Sequence, residues 1–207
     1  MDFKNTSEYH TLFKKVIADI PLSQEKNVYG ITFFAAPGVG KSTVAKMISQ
    51  KTGLYITAND KIRRIAESCG IDPNENRKMI ESVANDRTVY MLKNKTSMII
   101  DANMHFFWQS ALNNFKNNNA KLYFVKLDCD EDTILKRIEE RALNFGNNEN
   151  LSRAVADDYF KYKARAEETP IPKELITFTI KTNTNYEEME KQVDELIKCI
   201  NKLNKEE

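Results

Sequence analysis

The sequence has little cysteine, little histidine and no long apolar run, and each shortage excludes a class of protein. Its three cysteines, Cys69, Cys129 and Cys199, are odd in number and far apart, so they match neither a disulfide framework nor a zinc-binding pattern. Two histidines are too few for most metal or triad chemistry. No segment approaches the roughly 20 apolar residues of a membrane span, and the polar stretch 1–8 does not resemble a signal peptide. We therefore expect a reduced, cytoplasmic protein with no membrane partner.

An excess of charge of either sign is also missing, since the net charge is only +1. Such a chain has no overall electrostatic attraction to nucleic acid or to an anionic membrane, although a local basic groove is compatible with it. The 207 residues, 41% of them hydrophobic, suit one compact domain with a sizeable core. We predict a single domain over residues 1–207.

Segments with strand character alternate with segments of helical periodicity along the chain. Short β-branched and aromatic runs predict strands at 28–36, 54–57, 97–102, 121–128 and 175–182. Apolar residues at helical spacing predict helices at 7–20, 42–52, 60–69, 75–94, 105–114, 131–143, 152–168 and 186–203. The alternation predicts an α/β fold with a parallel sheet covered on both faces, in which ligands bind at the carboxyl ends of the strands. The first helix either packs on the domain, which is favoured, or docks a partner.

The segment after the first predicted strand, residues 35–42, matches the phosphate-binding motif G-x-x-x-x-G-K-[ST], called the P-loop, with Ala35 in place of the first glycine. Glycines there let backbone N–H groups converge on an anion, and the N-terminus of the next helix adds its positive dipole end. We expect Lys41 to contact the β- and γ-phosphates and Ser42 to ligate Mg²⁺. ATP is favoured over GTP because the chain lacks the guanine motif Asn-Lys-x-Asp. The predicted nucleotide-binding residues are Pro37, Gly38, Val39, Gly40, Lys41, Ser42 and Thr43.

The third predicted strand is an apolar run that ends in Asp101. Such a strand-end aspartate near a P-loop is typical of a carboxylate that binds Mg²⁺, directly or through water. The alternative is that Asp101 caps the helix predicted from His105. Asn103 either orients a substrate or caps the same helix.

A second acidic residue, Asp60, follows the second predicted strand at the start of a helix. Phosphoryl transfer to a hydroxyl uses a carboxylate that orients the hydroxyl and takes its proton. We therefore predict Asp60 as the general base, with N-capping of its helix as the alternative. Arg63 lies one helical turn further on, where it would bind an anionic substrate or the γ-phosphate.

Two arginines, Arg137 and Arg141, lie four residues apart and so share one face of the helix after the fourth strand. An Asn-rich loop at 144–150 and a basic helix follow, a pattern typical of a mobile lid over residues 137–168. Arginines on such a lid stabilise the charge that develops on a transferred phosphoryl group, so both are predicted to be catalytic. The alternative is surface ion pairing with the glutamates at 139 and 140.

Two further groups of residues are interpreted as structural. The aromatic cluster at 105–108 is assigned to the core in preference to an acceptor pocket. The adjacent residues Asp86 and Arg87 lie in the middle of a predicted helix, where an acidic and a basic neighbour are usually exposed.

Together these motifs resemble the small-molecule and polynucleotide kinase-like P-loop proteins, the AAA-family ATPases of the zeta-toxin and polynucleotide-kinase type. The resemblance covers residues 29–141 and depends on the P-loop, the Asp-x-x-Arg at Asp60, the Ile-Ile-Asp-Ala-Asn at Asp101 and the Leu-x-Arg-x-x-x-Arg at Arg137. It implies a P-loop NTPase fold, a three-layer α/β/α sandwich with five parallel strands in the order 2-3-1-4-5 and a helical lid. It also implies the roles given above for the two aspartates, Arg63 and one lid arginine. The chain departs from the group after Asp101, where an arginine common in the group is missing.

We predict an ATP-dependent kinase that transfers the γ-phosphate of MgATP to a hydroxyl of a small-molecule acceptor. Asp60 acts as the base, the acceptor contacts Asp60, Arg63 and Asn103, and the lid arginines stabilise the transition state. The alternatives are a polynucleotide 5′-hydroxyl kinase, which the near-neutral charge disfavours, a nucleoside monophosphate kinase, and a non-kinase ATP-binding switch with slow hydrolysis. The sequence indicates neither the acceptor nor the oligomeric state.

Overall fold

The computed structural model of the protein describes residues 3–144 and 149–205. Five parallel strands form one sheet in the order β2-β3-β1-β4-β5. The strands are β1 (Tyr29–Phe34), β2 (Tyr55–Ala58), β3 (Met98–Asn103), β4 (Lys121–Asp128) and β5 (Ile176–Lys181). The predicted strand order is confirmed, and the segments that follow all five strands leave the same edge of the sheet.

Helices connect the strands and cover the sheet. They are α1 (Ser7–Ile17), α2 (Lys41–Thr52), α3 (Asn59–Ser68), α4 (Arg77–Lys93), α5 (Trp108–Lys116), α6 (Glu131–Asn144), α7 (Glu149–Glu168) and α8 (Tyr186–Leu203). Because α5 begins at Trp108 rather than His105, residues 105–107 form a separate turn. None of the helices in the described part of the chain combines the length and the apolarity that a bilayer crossing requires.

Apolar side chains cover both faces of the central strands. On one face, β1 packs against α2 and α8 in a cluster that includes Ile31, Phe33, Val44, Ile48, Val193 and Leu196. On the other face, β3 packs against α4 and α5 in a cluster that includes Met91, Leu92, Met98, Ile100 and Phe115. Successive residues of a strand point to opposite faces, so the central strands need apolar residues on both sides. The sheet is therefore the middle of three layers, as predicted.

The N-terminal helix α1 packs on the domain, which confirms the favoured interpretation of that segment. Thr6 caps it by accepting a hydrogen bond from the Tyr9 N–H at 3.2 Å. Its apolar side chains are buried against α3 and α4, in a cluster that includes Tyr9, Leu12, Val16, Ile62, Ala66, Met79 and Val83. Helix α1 thus stabilises the two helices that lie between β2 and β3.

Candidate active site

The loop between β1 and α2 has the backbone of a phosphate-binding loop. Gly38 and Gly40 have φ angles of 83° and 103°, in the left-handed region that residues with a side chain rarely adopt. Gly40 is also the N-cap of α2, and the helix begins at Lys41. In the first turn of α2 the Thr43 N–H donates to the Gly40 carbonyl at 3.0 Å, whereas the N–H groups of Lys41 and Ser42 precede the first intrahelical hydrogen bond and remain available to a ligand. The loop can therefore bind an anion through backbone donors and the helix dipole.

Lys41 and Asp101 form an ion pair beside this loop. The Lys41 Nζ lies 2.5 Å from Asp101 Oδ1, and the Asp101 side chain is only 10% exposed. Strand β3 is the neighbour of β1, so the sheet brings this carboxylate to the start of α2. The alternative role of Asp101 as a helix cap is wrong, because its carboxylate contacts Lys41 and α5 begins only at Trp108.

Two further predicted ligands of the nucleotide and metal lie in the first turn of α2. Ser42 and Thr43 are both exposed there, with their hydroxyl groups on the turn that follows the P-loop. Asn103 also has a local contact, because its Oδ1 accepts a hydrogen bond from the His105 N–H at 3.1 Å in the turn after β3. The N-cap of α5 is Phe107, so the alternative of capping α5 is wrong for Asn103 as well.

Arg137 contacts the P-loop backbone from α6. Its Nη1 donates to the Val39 carbonyl at 3.2 Å, and its Nη2 donates to the Thr182 carbonyl at 2.5 Å. The Thr182 hydroxyl donates to the same Val39 carbonyl at 2.6 Å. The alternative of surface ion pairing is therefore wrong for Arg137, whose guanidinium binds two backbone carbonyls. Arg141, one turn further along α6, is exposed.

A cleft of about 290 Å³ lies beside the P-loop. Its walls come from the P-loop, the end of β4, α6 and α7, and include Ala36, Val39, Cys129, Tyr162 and Lys163. The helices of the predicted lid therefore border the P-loop. Most of the predicted flexible loop at 144–150 lies outside the described residues.

The segment after β3 contacts α7 and the residues beyond it. His105 is buried, and its Nε2 donates to the Thr169 carbonyl at 2.6 Å, because a carbonyl can only accept. Its Nδ1 lies 2.9 Å from the Tyr162 hydroxyl, within hydrogen-bond distance, and burial raises the pKa of Tyr162. The Arg165 guanidinium lies 3.8 Å from the centre of the Phe106 ring. The aromatic cluster is thus core only in part, and it joins the end of β3 to α7.

Asp60 lies at the carboxyl end of β2, next to β3. Ala58 pairs in register with Asp101, so Asp60 is two residues beyond the strand position beside Asp101. Helix α3 has Ala58 as its N-cap, so the alternative N-cap role of Asp60 is wrong. The Asp60 carboxylate is exposed and has no hydrogen-bond or ion-pair partner among the described residues. Arg63 is half-buried one turn further on, and its Nη1 donates to Asn74 Oδ1 at 3.5 Å.

Sequence reasoning missed one residue of this region, Arg87 of α4. Arg87 is only 3% exposed, so the interpretation of Asp86 and Arg87 as an exposed pair is wrong. Its Nη1 donates to the Ala58 carbonyl at 3.0 Å and its Nη2 to Asn59 Oδ1 at 3.4 Å. Burial lowers the pKa of the guanidinium to about 10. The helical spacing could have indicated that Arg87 is buried, because Arg87 follows the buried Val83 by four residues on the same face of α4.

The fold and the site define a P-loop NTPase, in which a glycine-rich loop, its lysine and a strand-end aspartate meet at the carboxyl edge of a parallel sheet. The family follows from comparison with known proteins. The model of an AAA domain family matches residues 33–167, and the chain belongs to this family. No curated protein sequence matches the chain significantly.

Several solved structures share this fold over most of the chain. A Chloroflexus aurantiacus protein, named provisionally as a kinase, has a TM-score of 0.62 at 14% identity, covering 87% of this chain and 99% of that one. The APS kinase of Mycobacterium tuberculosis, solved with AMPPNP and APS, has a TM-score of 0.54 at 16% identity, covering 86% and 99%. A gluconokinase of Sinorhizobium meliloti has a TM-score of 0.52 at 14% identity, covering 89% and 97%. At such low sequence identities, the similarity shows that these proteins share a fold with this chain.

Proposed function

We propose that this protein is a kinase that transfers the γ-phosphate of MgATP to a hydroxyl group of a small-molecule acceptor. The observation that carries the proposal is a pair of aspartates on adjacent strand ends, one bound to the P-loop lysine and the other exposed. A carboxylate beside the P-loop serves nucleotide binding, whereas a second, unpaired carboxylate suits the activation of a hydroxyl. APS kinase and gluconokinase, which have a similar fold, are named for small-molecule substrates, and this supports a small acceptor.

The donors at the P-loop fit Mg²⁺, which prefers oxygen ligands and takes few of them from the protein in phosphate-binding sites. Ser42 offers a hydroxyl and Asp101 a carboxylate, and the ion pair with Lys41 supports a carboxylate directed at the phosphate space. When bound, Mg²⁺ neutralises charge on the phosphate oxygens. Lys41 would exchange Asp101 for the β- and γ-phosphates, so that the nucleotide competes with the ion pair.

On the acceptor side, Asp60 would orient the hydroxyl and take its proton while the acceptor oxygen bonds to the γ-phosphorus. The bond between the γ-phosphorus and the β–γ bridging oxygen breaks, and ADP leaves with that oxygen. Arg63, one turn along α3, and Asn103, at the end of β3, would bind polar or anionic groups of the acceptor.

The two lid arginines take different roles in this proposal. Arg137 already binds the Val39 and Thr182 carbonyls, so it would position the P-loop. Arg141 is exposed one turn further along α6 and is the better candidate for contact with the transferred phosphoryl group. An arginine in that role needs N–H donors available to the developing charge.

The proposal is tested by ADP release from MgATP with nucleosides, nucleoside monophosphates, sugars, amino alcohols and 5′-hydroxyl oligonucleotides as acceptors. We expect one class of small hydroxyl compounds to raise turnover far above the rate without acceptor, and Lys41→Ala to abolish this turnover. Lys46→Ala, exposed on the same helix, is the matched control and should keep the full rate. Stimulation by oligonucleotides alone would indicate a polynucleotide kinase. Nucleotide binding without stimulation by any acceptor would favour the ATP-binding switch.

Substitution of Asp60→Asn tests the role of the second carboxylate. The amide keeps the size of the side chain but cannot take a proton, so we expect the transfer rate at saturating acceptor to fall by roughly 10²–10⁴-fold. The affinity for MgATP should stay within about twofold of wild type, since Asp60 is assigned to the acceptor. Asp132→Asn is the matched control, because Asp132 is also exposed at the second position of a helix. An unchanged transfer rate in Asp60→Asn would exclude Asp60 as the base.

A further inference from the structure

Arg87 is a buried cation. In the described part of the chain, all its hydrogen bonds go to the turn between β2 and α3. Its guanidinium donates to the Ala58 carbonyl at 3.0 Å and to Asn59 Oδ1 at 3.4 Å. Its Nε has no hydrogen-bond partner, and no carboxylate of the described residues lies within ion-pair distance. The two acceptors belong to the two residues that immediately precede Asp60.

The burial of such an arginine lowers the stability of the fold, so stability alone does not explain its presence. A charge that is taken out of water needs a counter-charge and complete hydrogen bonding to offset its desolvation, and Arg87 has neither. The adjacent Asp86 has different partners, since its carboxylate binds Lys4 at 2.8 Å and Tyr9 at 2.6 Å. Asp86 therefore holds α4 to the N-terminal segment, while Arg87 contacts the turn after β2.

The packing of α4 on α3 does not depend on the guanidinium. Apolar side chains already join these helices, with Ile62 and Ala66 of α3 in one cluster with Met79 and Val83 of α4. A leucine or methionine at position 87 would continue this stripe, because it lies one turn beyond Val83 on the same face. The contribution of the Arg87 guanidinium is therefore to stabilise the turn between β2 and α3.

We propose that Arg87 is a positioning residue of the acceptor site, holding the turn from β2 into α3 so that Asp60 faces the acceptor hydroxyl. This proposal rests on the proposed role of Asp60 as the base. Ala58, the N-cap of α3, has no side chain that could cap the helix, so the turn depends on contacts from elsewhere in the fold. Arg87 supplies two of these contacts. A displacement of about 1 Å at a reacting group can lower a rate by about 100-fold.

Arg87→Met and Arg87→Lys are compared with the matched control Arg77→Met. Arg77 lies on the same helix, has a side chain that is 73% exposed, and pairs with Glu81 at 3.0 Å. The measurements are kcat and KM for the acceptor found in the panel, the dissociation constant of a non-hydrolysable MgATP analogue, and the melting temperature. We expect Arg87→Met to lower kcat by about 10- to 100-fold while the dissociation constant changes by less than about twofold. Lysine keeps the charge and a donor, so Arg87→Lys should recover part of the rate.

The double variant Asp60→Asn/Arg87→Met separates positioning from a general loss of structure. If Arg87 acts through Asp60, its substitution costs little further rate once Asp60 has been replaced. Equal losses in both backgrounds, a parallel rise in the dissociation constant of the nucleotide, or unfolding of both Arg87 variants would overturn the proposal. A rate lost in Asp60→Asn but kept in Arg87→Met overturns only the role of Arg87. An unchanged rate in Asp60→Asn overturns the proposed base itself, and the role of Arg87 with it.

Discussion

Arg137 binds two carbonyl groups from distant parts of the chain, and these contacts decide what its loss would do. Val39 belongs to the P-loop and Thr182 follows β5, so one guanidinium on α6 joins three segments. Both hydrogen bonds are charge-assisted, because the donor is ionised. The planar, forked guanidinium suits two separate acceptors in a way that a lysine ammonium does not.

We expect Arg137→Met to lower the free energy of unfolding by about 1.5–3 kcal/mol, because two carbonyl groups lose an ionised donor. The same variant should weaken MgATP binding, since the P-loop carbonyl of Val39 loses a contact. Arg141→Met is the matched control for stability and should stay within about 0.5 kcal/mol of wild type, because Arg141 is exposed. Urea denaturation measures the difference. Equal stability of the two variants would mean that the Arg137 contacts contribute nothing to the fold.

At the scale of elements, α1 is joined to α4 by a polar network as well as by apolar packing. The Tyr9 hydroxyl donates to Asp86 Oδ2 at 2.6 Å, and the Lys4 Nζ lies 2.8 Å from the same carboxylate. Burial, and then the hydrogen bond to Asp86, raise the pKa of Tyr9 to about 12. Burial alone would raise the pKa of Asp86, but hydrogen bonds from Lys4 and Tyr9 outweigh it and lower that pKa. The network is therefore charged and intact at neutral pH.

Asp86→Asn should lower the free energy of unfolding at pH 7 by about 1 kcal/mol, because the bonds to an ionised acceptor are weakened. A carboxyl whose pKa is lowered in the folded state stabilises the fold above its unfolded pKa. The difference between wild type and variant should therefore be constant between about pH 5 and pH 8. This difference in the free energy of unfolding should decrease as the pH falls below 3.8, the ordinary pKa of an aspartate. It should be lost as the pH falls further through the lower pKa that Asp86 has in the folded state.

Urea denaturation at a series of pH values measures this difference. Glu81→Gln is the control on the same helix, because Glu81 belongs to an exposed ion pair with Arg77 that is expected to contribute little. A stability difference in Asp86→Asn that does not depend on pH would contradict the assignment of an ionised Asp86 to the network.

At the scale of the whole molecule, the proposed nucleotide site exists only in the folded chain. The P-loop follows β1, Asp101 lies in β3 and Arg137 lies in α6, and the fold brings all three to one edge of the sheet. A ligand that binds only the folded state stabilises it, by about 2.7 kcal/mol at a concentration 100 times its dissociation constant. Folding and nucleotide binding should therefore be linked.

We expect a non-hydrolysable MgATP analogue at about 100 times its dissociation constant to raise the melting temperature by roughly 5–10 °C. Lys41→Ala should reduce this shift, because the lysine that is assigned to the phosphates is lost. Lys46→Ala should keep it, since Lys46 is exposed on another face of the same helix. Scanning calorimetry measures all three proteins. A wild-type protein whose melting temperature does not respond to the nucleotide would contradict the proposed nucleotide site.

The order of the elements could be predicted because apolar periodicity changes from two residues in strands to 3.6 in helices. Strand β4 and helix α8 have the predicted bounds, and the other boundaries differ by at most three residues. The start of α5 differs because His105 and Phe106 contact α7 and its flanking residues, and local periodicity contains no information about such contacts. The strand order was implied by the family resemblance and not by the periodicity.

The sequence by itself determined the phosphate-binding loop, because its glycines, its lysine and the start of α2 are consecutive and their backbone conformations are local. Only the tertiary structure decided which side chains meet there. Lys41 and its partner Asp101 are 60 residues apart, Arg137 and Val39 are 98 apart, and Arg87 and Ala58 are 29 apart. Whether a charge is exposed, paired or buried depends on the elements that pack around it, and that packing is a property of the whole sheet and its helices.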